Sequence, residues 1–201
     1  MNPPTTTRHK QTMDYKNILT EIQNRQLTTF CSLSTFRDKK HIQNLPTKHR
    51  GLYWIWSNLT IDNLQKITTR PSTMEVPISQ LVSQRHDLNN VNKISFDGFT
   101  IVYNGIGGYE KEPAAFGLRE RINQELNCYD RRTGTLNLLN RLNDEFNSID
   151  NWAISYFDFD NQDNLEIVNR LTFNRNHYLD NAKTIETNWR IEYGTPILTR
   201  H

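Results

Sequence analysis

The chain has 201 residues, of which 35% are hydrophobic and 23% charged, with a net charge of +2. That length can bury one core of useful size without disulfide or metal staples. Two cysteines, Cys31 and Cys128, lie far apart with no C-x-x-C pair, which argues against a disulfide framework or a thiolate zinc site. Six histidines show no zinc-ligand spacing. No run approaches the roughly twenty apolar residues of a membrane span, and Met1–Lys10 is too polar for a signal-peptide core. The expectation is an intracellular, cytoplasmic protein with no membrane partner.

Charge is unevenly spread. Residues 1–50 hold nine Lys and Arg against Asp14, Glu21 and Asp38, a net +6, so the remainder carries about −4. A basic arm over 1–50 suits a polyanionic partner. Residues 1–12 are Pro, Thr and charge without periodicity and read as unstructured. Ile18, Leu19, Ile22 and Gln26 mark a helix from Asp14 to Gln26. Lys39, Lys40, His41, Lys48, His49 and Arg50 then form a basic cluster able to meet phosphates.

Gly51-Leu52-Tyr53-Trp54-Ile55-Trp56 reads as a buried strand, its tryptophans as sheet-face residues. The passage from 58 to about 95 is too long for a hairpin loop and reads as an insertion, with a short helix over Ile78–His86. Asp97-Gly98 is a turn pair leading into Phe99–Gly108, a strand that ends in glycines. Simple alternation puts Phe99, Ile101 and Tyr103 on one face, with Thr100 and Val102 on the other. Tyr109–Ala115 reads as a loop.

Phe116–Asn127 predicts a helix on which Leu118, Ile122, Glu125 and Leu126 recur at three- and four-residue steps, with Arg119 and Arg121 at other positions. Asp130–Gly134 is a charged turn, and Thr135–Phe146 predicts a second helix through Leu136, Leu139, Arg141 and Leu142. Trp152–Phe159 is a third strand. Asn164–Leu171 and Tyr178–Tyr193 read as helices, the latter stopped by Gly194 and Pro196. The pattern is α+β, with a small mixed or antiparallel three-stranded sheet flanked by helices.

A tyrosine strand, an insertion, a second tyrosine strand with a glycine turn, an arginine helix and a late glutamate helix follow one another. In this order the chain resembles the GIY-YIG nuclease family. Gly51-Leu52-Tyr53 stands for the first signature triplet and Tyr103-Asn104-Gly105 for the second; Arg121 looks like the family's helical arginine and Glu186 its C-terminal glutamate. Two positions depart from the family pattern. Glu125 stands four residues after the arginine, where a histidine or tyrosine is usual, and about fifty residues separate the two tyrosines.

The resemblance covers about residues 50–198 and implies a nuclease domain over 51–198 with an insertion at about 58–95. It implies Mg2+-dependent hydrolysis of double-stranded DNA, with Mn2+ able to substitute. Tyr53 would be general base, Tyr103 would orient water or phosphate, Arg121 would hold the phosphate and lower the tyrosine pKa, and Glu186 would ligate the metal, with Glu166 as the rival ligand. Lys39, Lys40, Lys48, Arg50 and Arg119 would contact DNA. The closest subtype is a sequence-specific restriction endonuclease, for which a homodimer would match a palindromic site. A weakly specific repair, recombination or mobile-element nuclease and an inactive DNA-binding protein are the alternatives.

Overall fold

The structure is a computed structural model that describes residues 15–37, 45–69, 74–108, 117–127, 134–143, 145–171 and 178–200. Residues 1–12, Lys39, Lys40, His41, the loop Tyr109–Ala115, Cys128 and most of the turn at 130–134 lie outside these.

β2 (Gly51–Ser57) is buried along its whole length. It is hydrogen-bonded on both sides, to β4 (Phe99–Gly107) and to β5 (Trp152–Asp158). A strand covered on both faces needs no polar alternation, which explains its unbroken apolar run. Two-residue strands complete the sheet: β1 (Cys31–Ser32) beside β5 and β3 (Ser95–Phe96) beside β4. The sheet is thus five-stranded, in the order β1-β5-β2-β4-β3, and antiparallel throughout. The three long strands are those expected from sequence; the two short edge strands are too brief to leave a periodic signal. Asp97 and Gly98, at φ 49° and 79°, make the β3–β4 hairpin turn.

Helices cover both faces. On one, α2 (Ile61–Lys66), α3 (Ile78–Arg85) and α4 (Leu118–Leu126) pack Leu64, Ile78, Val82, Leu118 and Ile122 against Tyr53, Ile55 and Ile154. On the other, α1 (Tyr15–Leu27), α5 (Leu165–Arg170) and α6 (Tyr178–Tyr193) pack Ile18, Ile22, Val168, Ile185 and Trp189 against Leu52, Trp54, Trp56 and Phe157. The helix within residues 1–50 therefore belongs to the core, and the insertion contributes two helices to it. The tryptophans are core residues, as expected, all fully buried. Trp56 donates to Ser155, Trp152 to Asn147 and Trp189 to Gln23.

Two expectations fail for identifiable reasons. The partner of β2 steps from Tyr103 to Ile101 between Ile55 and Trp56. Val102 is the extra residue of a bulge, which reverses the alternation. Tyr103 therefore packs with the Tyr53 face while Ile101 packs with the tryptophan face. The described residues of 135–146 do not form the expected helix either; among them only Leu138–Asn140 make a single 3-10 turn. The Thr135 carbonyl accepts from the Val76 N–H, the Leu136 N–H donates to Glu125, and Asn137 sits at φ 51° with its amide on Glu75. These long-range bonds replace the helical ones. Arg141, which the helical reading put on an apolar stripe, pairs with Glu75 at 2.8 Å, both nearly inaccessible.

Past Gly194, where φ is 88°, the chain runs beside β4: the Leu198 N–H donates to Val102 O and the Thr199 hydroxyl reaches Asn104. No helix of the described residues is long and apolar enough to cross a membrane.

A Cβ on Gly105 would fall on the Tyr53 phenol. Gly105→Ala is therefore expected to cost about 1–3 kcal/mol, as overpacking does, and to lower the thermal midpoint by several degrees. An unshifted melting curve would show that the phenol lies elsewhere.

Candidate functional site

Antiparallel pairing sets Tyr53 opposite Gly105 on one side and Tyr156 on the other. The missing Cβ at Gly105 leaves room for the Tyr53 ring to lie along β4, 6.3 Å from the Tyr103 ring between centroids. Both phenols point at α4, and there they meet Glu125. The Tyr53 hydroxyl donates to Glu125 Oε1 at 2.9 Å and the Tyr103 hydroxyl to the same oxygen at 3.2 Å. The Leu136 N–H donates to Oε2 at 2.9 Å. Arg121, one helical turn earlier, lies 3.7 Å from Oε1 and donates to Gln124 at 2.6 Å. Glu125 is wholly inaccessible, whereas the Arg121 side chain is 22% exposed.

Burial raises the Glu125 pKa, opposed by the Arg121 charge, the Leu136 amide and the two hydroxyls. Burial also pushes Tyr53 well above the usual phenol range, with Glu125 and Tyr103 adding to it and Arg121 pulling the other way. Tyr103 is raised by burial and then by Glu125, again against Arg121. The Arg121 pKa is raised chiefly by its coupling to Tyr53, so it stays charged. The expected lowering of the tyrosine pKa by Arg121 is present but outweighed. Tyr53 has no accessible surface and its proton is held by Glu125, whereas Tyr103 is half-buried.

Successive side chains of a strand point to opposite faces, so Asn104 turns away from Glu125 toward α6. Its Nδ2 donates to Glu186 Oε1 at 3.3 Å, and its Oδ1 accepts from Arg190 Nε at 3.1 Å and from the Thr199 hydroxyl at 3.1 Å. Arg190 also pairs with Glu186 at 2.8 Å. Glu186 is 8% exposed. Burial pushes its carboxyl up to about 7 against the pull of Arg190, Arg121 and Lys183. Its influence also reaches Tyr103, raising that pKa slightly further. The two clusters are thus electrostatic neighbours, centred on adjacent residues of β4.

The fold brings Tyr53, Tyr103 and Arg121 together around Glu125, whereas Glu186 is held by Asn104 on the opposite face of β4 and acts on Tyr103 electrostatically. The basic residues fare differently. Arg50 is clamped to Asp160 through its backbone N–H at 2.8 Å and its Nε at 3.0 Å, and Arg119 Nε donates to Leu45 O at 2.9 Å. Both tie loops to the core. Lys48 is exposed, at φ 62°. Neighbouring His49 donates or accepts through Nδ1 to buried Asp158 at 2.6 Å, and Glu166 is exposed on α5. Sequence reasoning assigned no role to Glu125 and did not single out Asn104 or Thr199. The available signal was a carboxylate on the apolar stripe of the arginine helix.

Among the described residues no group of three or more His, Cys, Asp or Glu could hold a metal ion. Glu186 offers one carboxylate, which the Arg190 guanidinium at 2.8 Å already engages. The chain matches no family model, no curated protein and no solved structure.

Because the folded Glu186 pKa lies above that of an exposed carboxyl, its contribution to stability is fully present below about pH 4.5 and is lost as pH rises through about 7. Glu186→Gln is therefore expected to gain stability relative to wild type between pH 5 and pH 8, by about 3 kcal/mol at most. Urea unfolding at the two pH values reads this; a pH-independent difference would contradict it.

Proposed function

We propose that the chain is a Mg2+-dependent DNA endonuclease of the GIY-YIG type, sequence-specific and restriction-like, acting on double-stranded DNA in the cytoplasm. The observation that carries this reading is the gathering of Tyr53, Tyr103 and Arg121, distant in sequence, around Glu125, with Glu186 held by Asn104, the neighbour of Tyr103 on β4.

Hydrolysis of a phosphodiester needs charge stabilisation on the phosphoryl oxygens, an activated water and help for the leaving 3′ oxygen. Arg121 supplies the first. It stays charged, and its side chain keeps contact with solvent. Glu186 would anchor Mg2+, or Mn2+, which when bound offsets charge on the phosphate and the leaving oxygen. Asn104, itself held by the Thr199 hydroxyl, fixes Glu186 and Arg190 against β4 next to the residue that carries the Tyr103 phenol. Tyr103, half-buried, would orient the water, and Tyr53 fixes Glu125 from behind. Among the basic residues expected to contact DNA, Lys48 is exposed and would meet a phosphate; Lys39 and Lys40 remain candidates by sequence.

A second reading, an inactive DNA-binding protein, draws on the Arg190 guanidinium at Glu186 and on the complete burial of Tyr53. Incubating the protein with supercoiled plasmid and Mg2+, then sequencing the ends, separates the readings. Discrete fragments with a common end sequence are expected. A smear supports a weakly specific nuclease, and retarded but uncut DNA supports the second reading. Arg121→Ala is expected to slow cleavage by about 10²–10³-fold, as loss of one oxyanion donor does, and Glu186→Gln to abolish it with DNA binding retained; wild-type rates in either remove that residue from the mechanism. Lys48→Ala should weaken binding alike for all sequences and flatten the log–log salt slope by about one.

A further inference from the structure

A phenol whose proton already rests on a carboxylate can take a proton from water only by passing its own along, and Tyr103, Tyr53 and Glu125 are arranged for that transfer. Both hydroxyls share Glu125 Oε1, but only one belongs to a residue with accessible surface: Tyr53 has none, whereas Tyr103 is half-buried and lies within electrostatic reach of Glu186. We propose that Glu125 is the proton acceptor of the hydrolysis, reached from the attacking water through the Tyr103 hydroxyl, with Tyr53 as the fixed donor that aims Oε1. This rests on the nuclease reading above.

The step balances without a free phenolate. As water attacks phosphorus, one of its protons moves to Tyr103 Oη while the Tyr103 proton moves to Glu125 Oε1. The new P–O bond forms, the P–O3′ bond breaks with its electron pair on the 3′ oxygen, and that oxygen takes a proton from solvent. Glu125 then returns its proton through Tyr103. Burial makes a phenolate costly at both tyrosines and makes Glu125 a better proton acceptor than an exposed carboxylate. The Leu136 N–H on Oε2 keeps the carboxylate in place through the cycle.

The groups facing Glu125 are Tyr53 from β2, Tyr103 from β4, Arg121 on its own helix and the Leu136 amide, with Glu186 acting on Tyr103 from α6. A merely structural Glu125 would bond the same phenols, so the test reads proton chemistry. Single-turnover loss of supercoiled plasmid is measured against pH at several Mg2+ concentrations, alongside plasmid binding in Ca2+ and thermal melting. Wild type is expected to lose rate toward acid along a limb that does not move with Mg2+, which separates Glu125 from any metal-binding carboxylate. Glu125→Gln, isosteric and acceptor-poor, is expected to cut at least 100-fold more slowly, to lack that limb and to bind plasmid as wild type does. Tyr103→Phe should lower the rate far more than Tyr53→Phe.

A cutting wild type whose acid limb moves entirely with Mg2+, or a folded Glu125→Gln protein with wild-type rate and limb, overturns the relay alone. Should Glu125→Gln fail to fold, the order of the two tyrosine variants decides: a larger loss in Tyr53→Phe overturns it. A wild type that binds plasmid and never cuts overturns the nuclease reading, and the relay with it.

Discussion

A carboxylate removed from water costs several kcal/mol unless its lone pairs are filled by well-aligned donors. Glu125 meets that condition with two phenols and a backbone amide, and with a guanidinium just beyond hydrogen-bond range. Each donor comes from a different part of the chain: β2, β4 and the segment at residue 136. Satisfying one side chain therefore fixes where α4 lies on the sheet and why the chain at Leu136 stays out of a helix. The requirement also explains the glycine at 105, since a side chain there would occupy the space the Tyr53 ring needs to reach α4.

The same logic of a buried acid with donors from several elements recurs at Glu75. Asn137, Arg141 and the Arg200 contact to its carbonyl bind it to segments far apart in sequence. Glu186 differs in being slightly open and in bonding to just one strand residue and one helical neighbour. Glu186 therefore keeps a little contact with solvent, whereas Glu125 is closed off entirely and Glu75 nearly so. Arg50 illustrates the opposite trap: a cation in a basic run whose guanidinium is committed to Asp160.

Much of the frame is legible from local periodicity. The bounds of α6, the three long strands and the Asp97-Gly98 turn all follow from patterns spanning a few residues. What is not legible depends on partners distant in sequence. The bulge at Val102 is one: Ile101, Val102 and Tyr103 are all apolar enough for either face, so nothing local says that the alternation slips. The stretch from 135 to 146 has helical spacing, yet its amides and carbonyls find better partners in Glu125 and Val76. Glu125 and Arg141 were visible as charges on apolar stripes, and both prove to be buried and paired. A charged residue at a core position is thus the strongest clue this sequence offered to its polar centres.

The whole arrangement turns on the Tyr53 hydroxyl and the Glu125 carboxylate binding each other inside the core. A double-mutant cycle measures that bond without any assumption about activity: urea unfolding of wild type, Tyr53→Phe, Glu125→Gln and the double variant. Coupling of about 1–3 kcal/mol is expected for a buried hydrogen bond to a charged group. Additivity within about 0.5 kcal/mol, the behaviour of independent sites, would contradict the account.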